Sequence, residues 1–164
     1  MKNYEAILNV EEIAPILKKI SIFTGISNSK LCKLVPSLKK VEYEDSELIF
    51  SQGSPPSHIY IIMRGRVKLI EYVNYTPYQL FELGEGNCIG EASIIGIQTH
   101  EVTAVSKGNT EFIVLPKKVF LEIFEADKEL FCLLILNIAK EVSKRLAKTD
   151  NLLLQYIDKY KHPY

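Results

Sequence analysis

The sequence predicts an α+β protein that is mainly β: an antiparallel roll, double-sheeted in the jelly-roll manner, with N-terminal helices and one long C-terminal helix. Three observations predict it. Short apolar or alternating runs follow one another from Lys40 to Leu115, each bounded by Gly, Pro, Asn or Ser. Before them, apolar residues recur at helical spacing. After Asp127 comes a run of more than thirty residues without Pro or Gly, with apolar residues at steps of three and four. These textures divide the chain into a helical segment over 1–40, a roll over 41–116 and C-terminal helices over 117–164.

The elements are expected in this order. Tyr4 to Lys19 is helical in pattern through Ile7, Leu8, Ile13, Ile16 and Leu17, with Pro15 at a boundary or kink. The apolar connector Ile22–Phe23–Thr24–Gly25–Ile26 packs under the sheet. Ser27, Asn28 and Ser29 are each able to cap a second short helix carrying Leu31, Leu34 and Val35. Val41–Glu42–Tyr43 alternates, Leu48–Ile49–Phe50 is a brief buried run, and Gln52 to Pro56 is a turn by composition. His58 to Met63 and Arg66 to Tyr72 read as strands joined by a hairpin at Arg64–Gly65. Asn74 to Pro77 is another turn, and Gln79 to Leu83 alternates. Val102 to Val105 and Glu111 to Leu115 read as strands around a turn at Lys107–Gly108–Asn109. Pro116 opens a helix with Val119, Phe120, Ile123 and Phe124 on one face. Asp127 caps the long helix, whose stripe is Leu130, Leu134, Ile138, Val142, Leu146, Thr149, Leu153, Tyr156 and Tyr160. A helix of that length spans about 45–50 Å, more than a compact roll covers. Its surplus is expected to meet a partner, while Lys140, Glu141, Lys144, Arg145 and Lys148 form a solvated face.

Composition narrows the function. The 164 residues carry no formal net charge, so the basic footprint of a nucleic-acid binder is missing. The opening residues lack the layout of a secretory signal, and no apolar run reaches the length of a membrane span. A cytoplasmic protein is expected. Cys32, Cys88 and Cys132 are far apart and odd in number, so they suggest neither a disulfide framework nor a metal site. No residues assemble into a nucleophile–base pair, and no catalytic role is assigned.

One stretch carries chemistry: Leu80 to Thr103, with Gly84, Gly86 and Gly90 and a carboxylate, Glu91, straight after the third. Glycines let a backbone approach a ligand closely or adopt positive φ. N–H groups opening a helical turn then face an anion.

Three pieces of the chain resemble the cyclic-nucleotide-binding domain family. Leu48–Ile49–Phe50–Ser51–Gln52–Gly53 resembles the family's strand ending in a glycine turn. Ile59 to Lys68 resembles its Y-x-I-x-x-G-x-V pattern. Leu83–Gly84–Glu85–Gly86, followed by Ile89–Gly90–Glu91, resembles the approach to its phosphate-binding cassette. The resemblance implies a regulatory domain rather than an enzyme, with cyclic AMP or cyclic GMP as ligand and no cofactor. It implies Gly90 as the close-approach glycine, Glu91 as the acceptor for the ribose 2′-hydroxyl, and Ala92 and Ser93 as N–H donors to the phosphate. The family places an arginine about nine residues past the glutamate. Here that position holds His100, either a phosphate contact or a surface loop residue, and no arginine lies between Arg66 and Arg145. Neutral histidine lacks the permanent charge and planar fork of arginine. Two readings follow: a sensor coupling a small anion to the C-terminal helices, or a dimerisation scaffold with a degenerate pocket. A homodimer through the long helix is expected in either case. No helix-turn-helix segment follows that helix, so direct DNA binding is not expected.

Overall fold

The computed structural model describes residues 2–7 and 9–161, with side chains described through residue 159. Among the described residues, seven strands form one antiparallel sheet: β1 (Glu5–Ala6), β2 (Lys39–Tyr43), β3 (Leu48–Phe50), β4 (His58–Val73), β5 (Thr76–Leu83), β6 (Cys88–Ile89) and β7 (Thr103–Pro116). The path runs β1-β2-β7-β4-β5 without closing, with β3 also on β7 and β6 also on β4. Five α-helices of the described residues accompany it: α1 (Val10–Leu17), α2 (Asn28–Leu34), α3 (Glu91–Ile95), α4 (Lys117–Ala126) and α5 (Lys128–Lys161). The expected α+β roll with its long terminal helix is what the chain forms.

The two long strands correct two expectations. Neither Gly65 nor Gly108 makes a hairpin; β4 and β7 run straight past them, paired with each other from His58↔Pro116 to Ile70↔Thr103. The pairs Arg64↔Glu111 and Arg66↔Lys107 leave Gly65 facing residues 108–110, so both glycines belong to one bulged corner of a continuous ribbon. Gly65 has φ +91°, and a Cβ there would stand 2.6 Å from the Asn109 carbonyl oxygen. In sequence, a left-handed residue between apolar runs has the same signature in a bulge as in a turn. The true two-residue hairpin lies at Asn74–Tyr75, with φ of 50° and 64°, closing Val73↔Thr76.

Burial on both faces explains the unbroken apolar run Ile59–Tyr60–Ile61–Ile62. Ile59 and Ile61 point to the helices and pack with Leu17, Phe23, Leu34 and Leu134. Tyr60 and Ile62 point into the roll, with Val41, Phe50, Ile89 and Phe112. On β7, Ile113 and Leu115 join the first cluster while Phe112 and Val114 join the second.

The N-terminal expectation is corrected too. Tyr4 to Lys19 is not one helix: Glu5 and Ala6 pair with Lys40 and Lys39 as an edge strand, and α1 starts only at Val10. Asn9 sets that start, its side-chain oxygen accepting from the Glu12 N–H at 3.3 Å. Pro15 lies inside α1, and Leu8 falls outside the described residues. Ser27 caps α2 through the Lys30 N–H, 3.4 Å. Asp127 caps α5 through the Leu130 N–H, 3.0 Å, and accepts from Lys30 Nζ at 2.7 Å. The connector Ile22–Ile26 packs as expected, and α5 grips it: buried Asn137 donates to the carbonyls of Ile22 and Thr24, at 3.0 and 2.8 Å.

Along α5 the stripe divides. Leu130, Leu134 and Ile138 are buried, whereas Leu146 and Leu153 are 61% and 56% exposed. The Tyr160 side chain lies outside the described residues. Among the described residues, no helix is long and apolar enough to cross a membrane.

Candidate functional site

The site begins where β6 ends. Cys88 and Ile89 pair with Ile61 and Tyr60, which fixes the next residue against β4. That residue, Gly90, has φ +83°, and a Cβ on it would meet the His58 carbonyl oxygen at 2.8 Å. Only glycine satisfies both demands. The left-handed residue turns the chain into α3, whose first residue is Glu91. The N–H groups of Ala92 and Ser93 belong to the first helical turn and so have no acceptor within it.

Gly90, Glu91, Ala92, Ser93 and His100 all line one cavity of about 300 Å³. Phe50, Leu69, Phe81 and Ile89 supply its apolar wall from the roll, and Val142, Arg145, Leu146 and Thr149 close it from α5. Glu91 is fully buried, and its Oε2 has no hydrogen-bond donor among the described residues. Its charge partner is Arg145, whose guanidinium forms an ion pair with it from α5. Burial pushes the Arg145 pKa below its ordinary value, yet a guanidinium stays protonated throughout the working range of pH.

His100 is buried, which removes the surface-loop alternative. Its ring stacks on Phe50 at 3.8 Å, and Nδ1 is 3.1 Å from Ser93 Oγ. Its backbone is held on both sides: its carbonyl accepts from Gly53 N–H at 2.7 Å, and its N–H donates to the Ser54 carbonyl at 2.9 Å. Burial lowers its pKa, so the ring is neutral at pH 7. Cys88, buried beneath the cassette, has its thiol pushed up to about 11 by desolvation and is chemically quiet; Cys32 and Cys132 are exposed.

Arg145 is the residue that the sequence reading placed wrongly, on the solvated face of α5. A signal for it exists: Ile138, Val142, Arg145 and Thr149 follow at steps of four, three and four, so Arg145 shares the inward stripe. The step from Val142 to Leu146 fits the period equally well, and the apolar choice concealed the charged one.

A glycine–glutamate turn opening a helical turn inside an antiparallel roll, closed over by a C-terminal helix, marks a β-roll domain with a candidate site. Residues 40–127 match the cyclic nucleotide-binding domain, which is more than half of the chain, and the chain belongs to that family. It is similar to potassium channel AKT6 of Arabidopsis thaliana, 28% identical over 112 residues, covering 68% of this chain and 13% of the channel. A cyclic nucleotide-binding domain from Methylobacillus flagellatus superposes with a TM-score of 0.79 at 22% identity, covering 90% of this chain and 83% of that one. The regulatory subunit of a cAMP-independent protein kinase A from Trypanosoma brucei superposes with a TM-score of 0.70 at 21% identity, covering 82% of this chain and 45% of that one. The chain thus spans only about an eighth of the curated relatives it matches first. In this family the domain is regulatory and generally non-catalytic.

Proposed function

We propose that the domain is a sensor: it binds a cyclic nucleotide in the cavity beneath α5, and occupancy is read out by the C-terminal helices. The carrying observation is Glu91, a fully buried carboxylate beside a cavity, held there by an obligatory glycine. Its Oε1 faces Arg145, but its Oε2 has no donor among the described residues, and a buried acceptor without one is costly. A ribose hydroxyl donating to it supplies what the site needs, while the N–H groups of Ala92 and Ser93 face the phosphate. Gly90 lets the ligand approach, and His100 forms the wall behind. The exposed second half of α5 pairs with a second copy, making a homodimer.

A second reading has its own support. His100 is neutral where the family has an arginine, Glu91 already has a cationic neighbour, and one structural relative is described as cAMP-independent. On that reading the domain is a constitutive dimerisation scaffold. Calorimetric titration of ligand-stripped protein with cyclic AMP and cyclic GMP separates the two. The sensor gives saturable heat, reduced in Glu91→Ala by about 1.5–3 kcal/mol of affinity, the worth of a hydrogen bond to a charged group. Absence of heat at millimolar ligand supports the scaffold.

A further inference from the structure

We propose that Arg145, carried by α5, is the anion anchor of this site, taking over the role that the residue at position 100 does not fill. The inference rests on the sensor reading and specifies how that site holds a phosphate. Charge balance motivates it. The cavity is lined by two carboxylates, Glu91 and Glu101, and among the described lining residues Arg145 is the single permanent cation. Gln98 donates to Glu101 at 2.9 Å but brings no charge. Without Arg145, an incoming phosphate would meet two negative groups in a part-buried space and nothing to offset them.

Geometry agrees. Arg145 reaches into the cavity far enough for its Nη2 to pair with Glu91 Oε1 at the start of α3. A guanidinium has five N–H donors in a fixed fork, so it is able to face Glu91 and a phosphate together. His100 has no such reach: its ring is stacked on Phe50 and Nδ1 is engaged with Ser93. Lys148 is one turn farther on, with Nζ 5.8 Å from the centre of the Phe81 ring. Because the anchor is part of α5 and not of the cassette, a bound phosphate ties the helix to the roll where it already closes the cavity. A nucleoside without phosphate occupies the same cavity and adds no such tie.

The test is calorimetric titration of the full chain, stripped of ligand, with cyclic AMP and with adenosine, for the unmodified protein, Arg145→Gln and Arg145→Lys. Thermal melts of all three establish that each is folded; the lysine keeps a charge beside Glu91 and guards against loss of fold in the glutamine variant. Arg145→Gln should weaken cyclic AMP by about ten- to a hundred-fold, as loss of a charge-assisted contact does. Arg145→Lys should weaken it less, keeping the charge without the fork. Adenosine should bind all three alike. Unchanged cyclic AMP affinity in Arg145→Gln, with the unmodified protein binding normally, overturns the anchor and leaves the sensor reading standing. Equal losses for cyclic AMP and adenosine also overturn it, since they mark a role in shaping the cavity. If the unmodified protein binds neither compound, the sensor reading itself fails and the anchor falls with it.

Discussion

From Leu130 to Ile138 the apolar stripe of α5 is buried against the connector, the sheet and α4, and Asn137 is tied into the connector by two hydrogen bonds. From Leu146 to Tyr156 the same stripe, at the same spacing, is exposed. Between the halves, Val142, Arg145 and Leu146 cover the cavity. Helical periodicity therefore names a face but not what covers it. The first half is held by the domain's own core, the junction lines the candidate cavity, and the second half is exposed. A device that reports ligand needs this arrangement, because a helix rigid along its whole length has nothing to move and a helix free along its whole length has nothing to move against.

Truncation is the largest way to break the comparison. Leu134→Ala empties a fully buried position and should cost about 2–5 kcal/mol of stability. Leu153→Ala, in the exposed half, should lie within about 0.5 kcal/mol in the monomer. Urea unfolding of both variants makes the check, and equal costs would show that the halves are not different in kind. Next in size is assembly. Leu153→Glu puts a charge on the proposed seam and should shift a dimer toward monomer in sedimentation. It is a cleaner probe than the same change at Leu146, which also lines the cavity. A monomer in the unmodified protein at micromolar concentration contradicts the seam.

The smallest effect is the pH dependence. His58 and His100 both have pKa values lowered by burial. Below the unfolded histidine pKa of about 6.5, the unfolded chain takes up protons that the folded chain refuses, so stability falls as pH drops from about 6.5 toward 5. The lowered carboxylates, Asp45, Glu47, Glu82 and Asp127, act in a separate and more acid window. Thermal melts across that range should show the decline, and His100→Gln should make it shallower. A flat profile in the unmodified protein would mean that neither ring is held neutral.

Most of the fold was legible because its signals are local. Ser27 and Asp127 cap helices as their residue types imply, and Val41–Glu42–Tyr43 buries alternate side chains. The misreadings share one cause, that local signals do not specify long-range pairing. Gly65 and Gly108 look like turns until β4 and β7 are seen to pair past them, with Gly65 against Asn109 and Thr110. Glu5 and Ala6 look helical until β2 supplies a strand to pair with. At the site, the cassette was legible as a contiguous string, and Gly90, Glu91, Ala92, Ser93 and His100 do meet around one cavity. Arg145 comes from 54 residues beyond Glu91, and only the return of α5 across the roll brings it there. The same ion pair gives Glu91 a structural role too: Glu91→Ala leaves a part-buried guanidinium unpaired, so it should lower ligand-free stability as well as affinity.

The central claim is that ligand in the Glu91 cavity is felt at the junction of α5. Hydrogen exchange of the backbone amides, with and without saturating cyclic AMP, tests it most directly. The account predicts that protection rises across residues 142–149, which cover the cavity, and changes little across 130–138, which the core already holds. Calorimetric binding of cyclic AMP with no change in protection anywhere along α5 would contradict it.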